Sequence, residues 1–261
     1  MPTVYRWNGN KSSYRKTWTY LMYENLASVY EDIFPLKQIT LNFVQKHLPE
    51  PDENSTVLDV GCATGELCRA LTGLGHKMIG LEPDREMVAQ ANLLSNGDIP
   101  FYTIGMEEVE QQFPPLSFTT VLCLGNTLAH LADIAAINEF FKNVVRLLKP
   151  GGKFIFQLVN FDRLSPEYLP EFPDIFGENF RFLRRYQWTE DNTAIRFITT
   201  LENRSDGTSQ TGSCRLFPFT QEQLSRALTT AGFSNQKWFG NFKGETFTPK
   251  SPAAVCVAKK Q

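Results

Sequence analysis

Along this chain, short apolar runs alternate with apolar residues spaced three and four apart. Leu41, Val44 and Leu48 recur at helical spacing, and Pro-Glu-Pro at 49–51 ends that helix. TVLDV (56–60) predicts a buried strand. Beyond two glycines, Leu67, Ala70, Leu71 and Leu74 share one helical face, with Gly73 and Gly75 as the stop. KMIGLE (77–82) predicts a second strand. Asp84 is placed to cap a helix faced by Met87, Ala91 and Leu94, and after an Asn-Gly-Asp turn IPFYTIG (99–105) predicts a third strand. TTVLCLG (119–125) is the fourth. Asp133 can cap a helix bearing Ile137, Phe141, Val144 and Leu148, which KPGG (149–152) turns into the strand KFIFQLV (153–159). Alternation with such short crossovers predicts an α/β fold, a parallel sheet covered by helices on both faces.

The rhythm changes after residue 160. Residues 161–180 are rich in Phe, Pro and acidic side chains, RFLRRYQW and AIRFITTLE predict strands joined through TEDNT, and SDGTSQTG (205–212) predicts a further turn. This reads as an inserted antiparallel β subdomain, 161–217, lying over a main domain made of 1–160 and 218–261. Its aromatic residues, Trp188 among them, suit a second packing layer better than a binding pocket. The regular rhythm returns at Thr220, where a capping box to Gln223 opens a helix that ends at Ala231-Gly232, and KWFGNF and AAVCVAKK predict two last strands.

Composition narrows the partners. With 26 Lys+Arg against 28 Asp+Glu the formal charge is −2, which argues against nucleic acid or an anionic membrane and leaves a small molecule as the default. Five cysteines include no CxxC pair, so neither a disulfide framework nor a metal site is expected, and reduced thiols suit a cytoplasmic protein. No apolar stretch has the length of a signal peptide or a membrane span, and the sequence gives no oligomeric state.

Chemistry concentrates in VLDVGCATGELCRAL (57–71). Gly61 and Gly65 lack Cβ atoms, so the backbone between strand and helix can come close to a ligand, and the amides opening the helix offer donors to a negative group. A dinucleotide fingerprint wants GxGxxG, whereas Ala63 stands where the middle glycine would lie against pyrophosphate, so a ligand without a diphosphate is expected. Glu82, ending the second strand, can accept hydrogen bonds from both hydroxyls of an unphosphorylated ribose.

VLDVGCATG followed by GLEPDREMV resembles the first two motifs of the class I methyltransferases that use S-adenosyl-L-methionine (SAM). The resemblance extends from about residue 20 to the end, through LLKPGG and FTQEQLSRALTTAGF. It implies a Rossmann-like three-layer αβα sandwich, a mostly parallel seven-stranded sheet with its last strand antiparallel, and methyl transfer that leaves S-adenosylhomocysteine. It places Gly61, Cys62, Ala63 and Gly65 around the methionyl part, Asp59 beneath the turn, Glu82 on the ribose, and Pro83 and Met87 beside the adenine. Gly105 stands where this family often has an acidic residue for the base, which leaves Met106 for apolar contact and Glu107 for the polar role. Leu124, Gly125 and Asn126 follow the fourth strand, where LCLGNTLAHL resembles glycine and sarcosine N-methyltransferases, as does QLVNFDRL (157–164). GNTL lacks the Pro-Pro-aromatic platform of base-methylating enzymes.

YENLASVYEDIF (23–34) looks like the tyrosine-bearing helix that covers SAM in many small-molecule methyltransferases. Tyr23 and Tyr30, seven apart, share its face, though both also suit core anchoring. Tyr23, Tyr30, Asn126 and His130 are thus the candidates for catalytic positions, weighed against a turn role for Asn126 and a local hydrogen-bonding role for His130. Cys62 reads as a small turn residue. The leading expectation is methyl transfer to a small-molecule amine or hydroxyl by in-line displacement, without metal. Its alternatives are an NAD-dependent oxidoreductase, which Glu82 would also serve, and a non-catalytic module that binds SAM or S-adenosylhomocysteine.

Overall fold

A computed structural model describes residues 26–261, so Tyr23 lies outside the described residues. The described chain opens with a short helix α1 (Tyr30–Ile33) and α2 (Gln38–His47), then alternates β1 (Thr56–Val60), α3 (Glu66–Gly73), β2 (Lys77–Glu82), α4 (Arg85–Leu94), β3 (Phe101–Thr103), α5 (Val109–Gln112), β4 (Phe118–Cys123), α6 (Ile134–Leu147) and β5 (Leu148–Val159). A smaller group follows: β6 (Ile175–Phe176), β7 (Phe180–Trp188), β8 (Ile195–Asn203) and β9 (Ser209–Leu216). The chain ends with α7 (Gln221–Ala231), β10 (Phe233–Phe239) and β11 (Ala253–Lys260).

Seven strands form one sheet in the order β10-β11-β5-β4-β1-β2-β3. β1 runs parallel to β2 and β4, and β4 parallel to β5, whereas β11 is antiparallel to both of its neighbours. The expected Rossmann-like class therefore stands. The chain order reverses between β1 and β4, which puts a crevice outside their carboxyl ends, the side on which ligands lie in such sheets.

Period-two alternation divides the sheet's side chains between two apolar layers. Leu58, Val60, Val121, Cys123, Phe154 and Phe156 belong to the cluster that α6 and α7 complete through Phe141, Val144, Leu224 and Leu228. Val57, Leu122, Ile155, Val255 and Val257 face the other way, onto Phe43 and Val44 of α2 and Leu71 of α3. A third cluster belongs to neither layer: Leu26 and Ile33 meet Met87 of α4 and Phe180 and Phe182 of β7. It joins the N-terminal segment to the four-stranded antiparallel sheet β6-β7-β8-β9.

Local signals explain three of the helix starts. The Asp84 carboxylate accepts from the amides of Glu86 and Met87, Asp133 accepts from Ala136, and Thr220 and Gln223 cap each other reciprocally. Several expectations change. Leu74 and Leu94 are 41% and 39% exposed, Leu74 as the residue that caps the end of α3 and Leu94 as the last residue of α4; Cys68 and Leu71 bury α3 instead. Leu148 opens β5 rather than closing α6, and KPGG is no simple turn. It forms a bulge in β5, with Phe118 opposite Leu148 but Thr120 already opposite Lys153, and Gly151 at φ +72° takes up the excess. The third and fourth strands are shorter than expected, and residues 209–212 are strand, hydrogen-bonded to β8. Of the helix expected over 23–34, only Tyr30–Ile33 is helical among the described residues.

Candidate functional site

The crevice begins where β1 ends. The amides of Gly61 and Cys62 both donate to the Leu81 carbonyl on β2, at 2.8 and 2.9 Å, which turns the chain across the strand ends. Gly61 (φ +78°), Ala63 (φ +48°) and Gly65 (φ +77°) then take left-handed conformations. At Ala63 the conformation is strained for an alanine, and it sends the Ala63 amide to Glu82 Oε2 at 3.1 Å. The Asp84 amide donates to Oε1 of the same carboxylate, also at 3.1 Å. Each carboxylate oxygen thus holds one backbone donor and keeps a lone pair for a ligand hydroxyl.

The two glycines have different reasons. A Cβ on Gly61 would lie 2.4 Å from Thr127 Cγ2, so its absence lets the exit of β4 close against the turn. A Cβ on Gly65 would meet the Phe101 ring at 2.5 Å, and Gly65 lines neither cavity described below. The same ring presses on Gly80, where a Cβ would come within 2.4 Å, a constraint that no sequence motif announces.

Two adjoining cavities occupy the crevice, both lined by Tyr30, Gly61, Ala63, Gly125 and His130. The smaller, about 130 Å³, also meets Glu82, Pro83, Met87, Met106 and Glu107, five of the positions singled out in the sequence. Val60, Asp84, Ile104 and Thr127 complete it without any such signal. Among its described lining residues there is no lysine or arginine. The larger, about 620 Å³, takes in Asp59, Cys62, Leu124 and Asn126, then runs beneath the antiparallel sheet.

The floor is acidic. Burial lifts the Glu82 carboxyl to about 7, although its two backbone donors pull the other way. Asp59, 4% exposed, is lifted to about 6 by burial, opposed by the Cys68 thiol, which donates to its Oδ2 at 3.6 Å. Burial also pushes the Cys62 thiol well above its ordinary value, so it is no thiolate nucleophile. A ligand bringing a vicinal diol and positive charge matches these carboxyls; a diphosphate would meet them with like charge. Nucleoside and sulfonium fit the residues present.

At the exit of β4, Gly125 (φ +69°) and Asn126 (φ +70°) are both left-handed. The Asn126 side-chain oxygen accepts from the Val159 amide at 2.9 Å, and its own amide donates to the Gln157 carbonyl at 3.2 Å. Asn126 therefore ties the ends of β4 and β5 together, leaving only its carboxamide NH₂ for a ligand. Burial lowers His130 to about 4, so its imidazole is neutral at pH 7. Burial and the nearby Glu82 charge hold the Tyr30 phenol well above its ordinary range, so it stays protonated.

Over the turn, the N-terminal segment is fastened by polar contacts that the sequence did not reveal. Glu31 Oε1 accepts from Thr64 Oγ1 and pairs with Arg69, each at 2.7 Å, while Glu66 accepts from the Leu36 amide at 2.7 Å. Trp188 stays outside the cavity lining; its indole donates to the Ser165 carbonyl at 2.7 Å. Among the described residues, no His, Cys, Asp or Glu cluster has the form of a metal site, and no helix is long and apolar enough to cross a membrane.

Comparison with known proteins gives a family match. The model of a family described as "Methyltransferase domain" matches residues 36–237. YqeM of Bacillus subtilis, which is named as a methyltransferase, is 29% identical over 250 residues, 92% of this chain and 98% of its own. The fold is similar to that of the CcbJ methyltransferase from Streptomyces caelestis, with TM-score 0.76 at 19% identity over 94% of this chain and 99% of that one. It is also similar to SAM-bound CalS10, an amino pentose methyltransferase from Micromonospora echinaspora, with TM-score 0.62 at 17% identity over 97% and 100%.

Proposed function

Because the chain belongs to the methyltransferase-domain family, an enzyme family of SAM-dependent chemistry, we propose that it transfers the methyl group of SAM to a small-molecule amine. The observation that carries this reading is Glu82, a half-buried carboxylate on the cavity wall with one backbone donor on each oxygen and one lone pair on each to spare. In this reading Glu82 holds the ribose, Pro83, Met87, Met106 and Glu107 surround the adenine, and Gly61, Cys62, Ala63, Leu124 and Gly125 follow the methionyl part. Asp59 lies toward its ammonium. Gly65 supports the turn from behind through Phe101.

SAM supplies an already activated methyl group, and S-adenosylhomocysteine remains after transfer. What the chain adds is alignment and exclusion of water. Tyr30, fastened over the turn through its neighbour Glu31, lies between the two cavities with its hydroxyl protonated. Asn126 fixes the β4 exit, so its part is positioning. His130, neutral but with its conjugate acid near 4, is a poor base. This favours an amine, which attacks in its neutral form and loses its proton afterwards, over a hydroxyl that must be deprotonated in the transition state. Residues 161–217 act as the acceptor-covering insertion and the N-terminal segment as a lid.

Titration with SAM and with NAD, side by side, followed by label transfer from methyl-labelled SAM to a panel of amines, hydroxylated aromatics and nucleic acids, tests the proposal. The expected result is SAM binding and labelled amine. Binding of NAD without SAM would return the oxidoreductase, binding without turnover the non-catalytic module, and label on nucleic acid alone would overturn the small-molecule acceptor.

A further inference from the structure

The roof of the larger cavity contains a cation that has no counter-ion among the described residues. Arg184 lies on β7 opposite Thr199 of β8, whereas Arg181, on the same strand, lies opposite Glu202. That register decides their partners. Arg181 pairs with Asp174 at 2.6 Å and Glu202 at 3.3 Å. Among the described residues, no carboxylate pairs with Arg184. Its guanidinium carbon instead lies 5.1 Å from the centre of the Phe172 ring and 5.8 Å from that of Phe34, and its Nη2 donates to the Pro173 carbonyl at 3.4 Å. Its Nε is buried and has no hydrogen-bond partner among the described residues.

The acids lining the same cavity are committed elsewhere. Asp59 takes the Cys68 thiol beneath the glycine turn, and Glu66 takes the Leu36 amide. Lys37, the other cation of the lining, adds charge of the same sign. Two aromatic faces offset only part of the desolvation of a guanidinium, and an arginine fork is suited to a planar, two-oxygen anion. Acid at the donor end and base at the roof would orient an acceptor that carries its amine at one end and an anion at the other.

We infer that the methyl acceptor bears an oxyanion, carboxylate or phosphate, which Arg184 receives, with the body of the acceptor against Tyr186 and Phe197. This rests on the methyltransferase reading above. It commits to a chemical class: an anionic amine whose apolar or aromatic part fits beneath the antiparallel sheet.

The test titrates the protein saturated with S-adenosylhomocysteine with benzoate, phenyl phosphate and neutral benzamide, in wild type and in Arg184→Gln and Arg184→Lys. Wild type is expected to prefer at least one of the anions to benzamide by about tenfold or more, and the preferred anion separates carboxylate from phosphate. Arg184→Gln should erase the preference while benzamide and S-adenosylhomocysteine bind as before, and Arg184→Lys should retain part of it. If glutamine at 184 prevents folding, the lysine variant and the salt dependence of anion binding to wild type carry the same test. No preference in wild type, or a preference that survives Arg184→Gln, overturns the inference. So does a parallel loss of S-adenosylhomocysteine affinity, which would assign Arg184 to the donor's carboxylate. Wild type that binds no S-adenosylhomocysteine at all would instead count against the methyltransferase reading itself.

Discussion

The floor and the roof of this crevice are built by different means. The floor comes from one short stretch and one strand end: left-handed backbone at Gly61, Ala63 and Gly65, and a carboxylate held by two amides. The roof comes from side chains far apart in sequence, Phe34, Phe172, Arg184, Tyr186 and Phe197, brought together by an antiparallel register and by contacts among their rings and the guanidinium. Backbone geometry makes the floor intolerant of change and suited to one invariant ligand. A surface of side chains can be altered one residue at a time, which would suit the acceptor-selecting role proposed for it.

That contrast predicts a gradient of effects, steepest at the floor. Gly61→Val places a branched side chain at φ +78° and within 2.4 Å of Thr127, so SAM binding should fall by about 100-fold or more, read by calorimetry with circular dichroism to confirm folding. Near-normal affinity would show that the turn is not the floor.

Glu82→Gln is expected to weaken SAM by roughly 10- to 100-fold, since it replaces a charged acceptor of two hydrogen bonds by a neutral one. It should also reshape the pH dependence. Ligand hydroxyls favour the ionised carboxyl, so wild-type affinity should rise with pH through about 6 and 7, where Asp59 and Glu82 ionise, and Glu82→Gln should lose the upper step. Stability of the ligand-free protein runs the other way. Both carboxyls titrate above their unfolded values, the native state binds more protons in that window, and their contribution falls as pH rises through it. Melting curves with and without SAM across pH 5–8.5 should therefore diverge as pH rises.

The smallest effect is expected at the clasp between lid and floor. Glu31→Gln removes a half-buried ion pair with Arg69, worth under about 1 kcal/mol, so SAM should dissociate a few-fold faster with its association rate unchanged, as followed by stopped-flow. An unchanged dissociation rate would reduce this segment to packing alone.

Much of the floor was legible in the sequence, because local rules set it. TVLDV is β1 to the residue, and Asp84, Asp133 and Thr220 cap the helices they were expected to cap. What escaped depends on residues distant in the chain. That Gly61 is small for the sake of Thr127, and Gly65 and Gly80 for Phe101, follows only from strand order. Leu74 and Leu94 fit a helical stripe but stand at the ends of their helices, partly in solvent. Asn126 reads as a ligand or a turn residue until β5 supplies the Val159 amide. Arg184 looks like Arg181 in the sequence, and it is the pairing of β7 with β8 that leaves one of them without an anion among the described residues.

The position of β11 has a consequence for how the protein is made. Residues 253–260 are synthesised after the other six strands of their sheet, yet they lie inside it, hydrogen-bonded to β5 on one side and β10 on the other, with Val255, Cys256 and Ala258 wholly buried. On the ribosome, β5 and β10 must wait with open edges, whereas β1 to β4, which carry the crevice floor, emerge early and together. The glycine turn and Glu82 can thus come together before the sheet is sealed, and in that interval the open strand edges are exposed to mispairing.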